Sequence, residues 1–215
     1  IGSGLWKEQN ITIGANKGLS IYGDPTGENT GDAGEVIWSG VSSSDDKTQA
    51  ECFGIKTTAG GYKMDIQNII FENWRTAQGV IVNTVGGPVT VKNCKGFNIW
   101  AANVTSPNVT YASLLYYNYN TYKYPVLVEN VYIDGIYAAR TLQSSGTASA
   151  AGVYINSSGD WGSGSIIAKN VKVKNVVALG STYNPYYSSA RAYGLSLSGG
   201  NAIKPQCINC EIENV

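Results

Sequence analysis

The sequence predicts an all-β fold, a parallel β-solenoid of about six to eight coils with long loops at one corner. Three observations carry that expectation. A seven-residue phrase is written twice, as "NVKVKNV" from Asn170 and "NCEIENV" from Asn209. Related phrases recur upstream at Asn68 ("NIIFEN"), Asn93 ("NCKGFN") and Asn130 ("NVYIDG"). The 26 Gly, the many Ser, Thr and Asn, and the single Met disfavour long helices and favour short strands joined by turns.

Each phrase alternates apolar and polar residues, the period of a strand with one buried face. Upstream of each lies a second alternating phrase: "FGIKTTAGG" from Phe53, "GVIVNTVGG" from Gly79, "SLLYYNYN" from Ser113, "GVYINSSGD" from Gly152 and "GLSLSGGN" from Gly194. One unit is therefore strand, Gly/Asn/Ser turn, strand broken by Asn, and a connection of variable length. No unit can bury its own apolar face, whereas stacked units bury a continuous stripe. Residues 1–52 read as opening coils and residues 53–215 as a five-unit body, together one continuous domain.

Superposing the units assigns each position a role. Ile69, Cys94, Val131, Val171 and Cys210 follow the first Asn and should point inward. Phe71, Gly96, Ile133, Val173 and Ile212, two further on, should do the same. The first Asn should turn a corner, because Asn tolerates the left-handed backbone region, and stacked Asn amides can bond to one another. Glu72, Phe97, Asp134, Lys174 and Glu213 should face outward, the last three as a ladder of alternating charge. Cys207 falls on an inward position; Cys207 and Cys210 make a C-x-x-C with no second pair and no His to complete a zinc site. Buried free thiols are expected.

The phrases "VKNCKGFN", "VENVYIDG", "AKNVKVKN" and "INCEIEN" resemble the right-handed parallel β-helix of the pectin-lyase-like superfamily. The opening "NITIGANKGLSIYGD" and "GEVIWSG" are similar to the first coils of pectate lyases and pectinesterases. The resemblance implies a coil architecture shared by polysaccharide lyases, hydrolases, adhesins, phage fibres and inert scaffolds. For a lyase it implies an Asp-rich calcium site and an Arg base. Calcium would draw on Asp24, Asp32, Asp45 and Asp46, whose spacing matches no standard calcium loop. Arg140 and Arg191 are the candidate catalytic arginines, and neither carries the following X-Pro motif.

Absences narrow the chemistry. The chain has no His, which excludes Ser-His-Asp, Cys-His and His-metal sites, and it has no phosphate loop. Lys plus Arg equals Asp plus Glu at 15 each, so nucleic acid is not an expected partner. No apolar run approaches the ~20 residues of a membrane span, and no leader is visible. "IGSG" is not a natural initiator, so the chain reads as processed or excerpted, and end-to-end self-association is one expected use of its open ends.

The connections 99–112, 137–151 and 177–193 are read as corner loops. They concentrate candidate ligand-binding residues: Trp100, Tyr111, Tyr137, Arg140, Tyr183, Tyr186, Tyr187 and Arg191, with "LLYYNYNTYKY" adjacent. Tyr among Ser, Asn and Gly suits adaptable recognition, and aromatic faces stack on sugar rings. The plainer alternative is that these rings pack the loops onto the coil. Asn10, Asn103, Asn108 and Asn156 occupy N-x-Ser/Thr patterns. The expected protein is an extracellular or cell-surface β-helix for adhesion, glycan binding or scaffolding, with polysaccharide or a surface protein as partner and no cofactor beyond calcium. The alternative is a lyase or hydrolase acting on acidic polysaccharides.

Overall fold

A computed structural model describes residues 1–14, 17–40, 52–102, 110–119, 124–139, 146–157, 164–180, 188–199 and 204–215. Among the described residues the structure is strand and turn, with no helix.

The N-terminal strands are short: β1 (Gly4–Trp6), β2 (Ile11–Ile13), β3 (Leu19–Tyr22) and β4 (Val36–Ser39). The first two units of the body contribute β5 (Ile55–Thr57), β6 (Met64–Gln67), β7 (Ile70–Arg75), β8 (Ile81–Asn83), β9 (Val89–Lys92) and β10 (Lys95–Ala102). Then come β11 (Thr110–Ala112), β12 (Leu115–Asn118) and the long β13 (Val126–Ala139) and β14 (Gly146–Ser157). The chain closes with β15 (Ile166–Leu179), β16 (Ser188–Gly199), β17 (Gln206–Ile208) and β18 (Glu211–Glu213).

These strands form two sheets in which the described pairings are parallel, an arrangement compatible with a β-helix or solenoid-like fold. Among the described residues sheet A has eleven strands and sheet B seven. Every pairing joins one unit to the next. Val131 lies opposite Val171, Ile133 opposite Val173, and Val173 opposite Ile212. In sheet B, Ile55, Ile81, Leu115, Val153 and Leu195 follow one another in register. The opening strands join the same sheets, β1 to β4, β4 to β7, β2 to β5 and β3 to β6.

The inward columns form the core. Ile69, Phe71, Cys94, Val131, Ile133, Val171 and Val173 are buried, as the superposition expects. Gly96 leaves room in its column, and Leu114, in the bend between β11 and β12, closes on it, with both methyls 3.4 Å from where a Cβ would stand. Trp38, Phe71 and Trp74 pack at one end of the core, with ring centroids 5.6 and 6.1 Å apart. At Gly152 the sheets approach closely: an added Cβ would lie 2.7 Å from the Gly194 carbonyl and 2.7 Å from a Val173 methyl.

Two expectations fail at the last strands. Ile212 is 49 % exposed and Cys207 is also exposed, although both hold the expected register opposite Val173 and Ala168. The reason is position: β17 and β18 are outermost in sheet A, so their inward side chains have a neighbour on one side only. Cys52 and Cys94 are buried, and burial pushes their thiols up to about 11 and about 12.

The corners are made by asparagine. Each non-glycine residue with positive φ in the described chain is an Asn, with φ between 51 and 59°. Asn93 donates to Asn68 (3.1 Å), Asn130 to Asn93 (3.0 Å), Asn170 to Asn130 (2.9 Å) and Asn209 to Asn170 (3.4 Å). Asn68 ends the ladder by donating to the Gly23 carbonyl at 3.2 Å. A second ladder, not foreseen, runs through the second Asn of each phrase, from Asn98 to Asn73 (3.3 Å) and from Asn214 to Asn175 (3.0 Å). Gly135 interrupts it at φ 81°, so Asn175 donates to the Asp134 carboxylate instead, at 2.7 Å.

That second bend corrects the reading of the connections. The chain does not leave the sheet after Asn98, Gly135 and Asn175. It continues as strand through Ala102, Ala139 and Leu179, with Ile99, Ile136 and Val176 buried. Residues 110–112, 146–151 and 188–193 are likewise strand. The remaining stretches 103–109, 140–145 and 181–187 lie outside the described residues.

The outward charges pair between units. Glu129 sits between Lys92 (2.8 Å) and Lys169 (3.0 Å), and Glu213 between Lys174 (2.5 Å) and Lys172 (3.2 Å). Asp134 accepts from Tyr132 and Asn175, while Lys174 turns to Glu213. Bonds from Lys174, then Glu211 and Lys172, hold the Glu213 carboxyl down at about 2.

Asn130→Ala should destabilise by about 2–3 kcal/mol, from roughly 1–2 of left-handed strain and about 1 of lost hydrogen bonding, read as a urea midpoint shift. Asn130→Gly should recover the strain portion. A carboxyl depressed in the folded state contributes stability above its ordinary pKa, so stability tied to Glu213 should be complete above 4.5 and disappear as pH falls toward 2. Urea titrations at stepped pH should show this fall, and Lys174→Ala should flatten it.

Candidate functional site

The outward face of sheet B carries a cluster of tyrosines. In β12 the residues alternate, Leu115 and Tyr117 joining the core and Tyr116 pointing to the other face. Register then sets Tyr154 of β14 beside Tyr116. Their rings stack with centroids 5.0 Å apart and planes 8° from parallel. Tyr111 of β11 leans on both, at 4.9 and 5.1 Å. Register also sets Tyr111, Ser149 and Arg191 in a row, so the Arg191 guanidinium acts electrostatically on Tyr111 and Tyr154. Tyr193, beside Ala151, adds a ring 37 % exposed.

Tyr116 is buried under its neighbours, Tyr111 and Tyr154 are half-buried, and Arg191 is exposed. The Asn118 amide donates to the Tyr116 hydroxyl at 3.1 Å and accepts from Asn156 at 3.2 Å. Burial raises the phenols of Tyr111 and Tyr116, and takes Tyr154 up to about 12. These groups are neutral donors and acceptors at physiological pH and poor bases. The arrangement is suited to holding a flat, hydroxylated group against rings while a guanidinium offers a fork of donors.

Of the residues expected to bind ligand, Tyr111 and Arg191 meet here. Trp100 and Tyr137 do not. They are register neighbours in sheet A, where Trp100 lies between Arg75 and Tyr137 and is buried. The Trp100 indole N–H has no hydrogen-bond partner among the described residues. Arg140, Tyr183, Tyr186 and Tyr187 lie outside the described residues. Tyr154 was missed, although the aligned phrases "LLYYN" and "GVYIN" place it beside Tyr116.

The acidic candidates behave differently. The Asp24 carboxylate is buried and taken up by its own loop: Thr26 donates to Oδ1 (3.1 Å), and the Asn29 and Thr30 amides and the Thr30 hydroxyl donate to Oδ2 (2.8, 2.7 and 3.0 Å). Burial pushes this carboxyl up, but those bonds outweigh it and hold it at about 2. Asp32 is exposed, and Asp45 and Asp46 lie outside the described residues. Among the described residues no group of three His, Cys, Asp or Glu is arranged for a metal. Lys172, a conceivable base, is held above its ordinary value by Glu211, and Lys169 is bonded to Glu129.

Two of the glycosylation patterns sit on structural amides, since Asn10 Oδ1 accepts the Phe53 N–H at 3.1 Å and Asn156 donates within its own column. No described helix is long and apolar enough to cross a membrane. No protein-family model, curated protein or solved structure matches the chain.

Phenols raised in the folded state favour folding below their ordinary pKa of 10 and withdraw that support above it. A titration followed by tyrosinate absorbance should therefore show a late-titrating fraction above pH 11 that moves to near 10 in urea. Tyr154→Phe should remove part of that fraction.

Proposed function

We propose that this chain is a right-handed parallel β-helix acting at an extracellular or cell surface, and that the tyrosine face of sheet B binds glycan. The observation that carries the reading is the Tyr116–Tyr154 stack, with Tyr111 against it and Arg191 in the adjoining register. The parallel pairing of each unit with the next supports the coil reading. Rings locked by one another and by Asn118 lose little freedom when a ligand docks, which favours recognition over adaptation after contact. Adhesion and scaffolding are compatible uses of such a surface.

The second reading, a lyase or hydrolase for acidic polysaccharides, draws on Arg191 beside two phenols. Among the described residues it finds no ready base, because those phenols are raised and Lys169 and Lys172 of sheet A are paired with glutamates.

A glycan array probed with wild type and with Tyr154→Ala and Arg191→Ala tests the proposal. The expected result is a defined set of bound glycans, with Tyr154→Ala weakening binding roughly tenfold, or about 1.4 kcal/mol, while circular dichroism is unchanged. No bound glycan, or an unaffected Tyr154→Ala, refutes it. Release of unsaturated uronate by wild type that Arg191→Ala abolishes would establish the enzymatic reading instead.

A further inference from the structure

A groove of about 620 Å³ opens beside β3, between Tyr22, the loop that holds Asp24 and Glu28, and the Gln67–Asn68 corner. It is an open groove rather than an enclosed cavity. It shares no residue with the tyrosine face of sheet B.

The wall is a fixed ring. Tyr22 is 46 % exposed, yet its hydroxyl donates to Asp65 Oδ2 at 2.8 Å. Asp65 is itself held, accepting from Gln67 Nε2 at 2.8 Å and pairing with the Lys63 ammonium at 2.6 Å. One buried carboxylate thus orients both the ring and the Gln67 amide. Asn68 is equally constrained, donating to Gly23 and accepting from Asn93 as the first member of the asparagine ladder. A large exposed aromatic surface held this way meets a ligand with little loss of side-chain freedom.

The lining itself is acidic: Asp24 and Glu28 line the groove and no Lys or Arg does, while the Ile1 ammonium is bonded to the Tyr22 carbonyl at 2.6 Å and Lys63 is paired with Asp65. Asp24 is committed to loop donors but keeps its negative charge, and Glu28 is exposed at the rim. An aromatic face beside carboxylates attracts a cation, and the side-chain amide of Asn29 and the side-chain oxygen of Gln67 offer bonds to hydroxyls. An anionic sugar would meet Glu28 unfavourably, and an N-acetylated one would offer Glu28 no counter-charge. A lysine side chain would supply the ammonium but no ring or hydroxyls.

We infer that the Tyr22 groove binds a sugar unit bearing a free primary amine, its ring against Tyr22 and its ammonium toward Glu28 and Asp24. Asp24 acts at a distance, since its oxygens are occupied; Glu28 is the group that pairs directly.

Calorimetric titration with a glucosamine trisaccharide tests this, with the N-acetylated trisaccharide and a trilysine peptide as the other arms. The expected result is binding by wild type, at least about tenfold weaker for the acetylated form, and weakened about fivefold or more by both Glu28→Gln and Tyr22→Ala. Raised salt should weaken it further. Tyr154→Ala should leave it unchanged, so this site and the sheet B face succeed or fail separately. Equal affinity for the acetylated form, tighter binding of trilysine, no binding, or an unaffected Glu28→Gln overturns the inference. Glu28 is exposed, so Glu28→Gln should melt like wild type and decides the matter even if Tyr22→Ala fails to fold.

Discussion

The structure depends on one backbone conformation, the left-handed corner that each unit turns at an asparagine. For an L residue with a side chain that conformation costs roughly 1–2 kcal/mol. Asn pays less than most, because its short amide can bond nearby groups. Here the amide does a second task, reaching the equivalent amide of the preceding unit and fixing the spacing between them. Gly135 shows that the two tasks are separable. Glycine meets the dihedral requirement, and the neighbouring Asp134 supplies the acceptor that the missing side chain cannot.

Once the corners are fixed, the columns follow. Residues one and three after the corner must point inward in every unit, and their register gives the stack of Val131 on Val171 and of Ile133 on Val173. The outward residues inherit the same register. Glu129 therefore meets a lysine on either side, and Tyr116 meets Tyr154 face to face. The tyrosine face and the core are two sides of one alignment.

Much of this was legible in the residues because repetition averages out local ambiguity. Any single phrase such as "VKVK" is weak evidence, but five phrases with Asn at one position identify corner, interior and exterior together. The strand beyond the second Asn was hidden, because "IWAA", "IYAA" and "VVAL" lose the apolar-polar alternation that marks a half-buried strand. The first two are covered on both faces, as the burial of Ile99, Trp100 and Ala101 shows, whereas Val177 and Leu179 of the third are exposed. Burial of Cys207 and Ile212 was misjudged because pattern gives orientation, whereas exposure depends on a neighbour in space. The Tyr22 groove joins a loop to a corner some forty residues on, a proximity that no local phrase encodes. The Asp24 clamp was hidden for a related reason, since its acidic loop looks the same in one dimension whether it binds an ion or its own amides.

The hand-over of bonds from Asn to Asn has a genetic corollary. Each amide requires from the preceding unit only an acceptor at the same corner, and Asn170, Asn130, Asn93 and Asn68 all supply the same one. Whole units are thus interchangeable at their seams. A gene for such a chain can lengthen by in-frame duplication, or shorten by excision, without creating a junction that the fold has not already solved, which leaves the sequences between seams free to diversify.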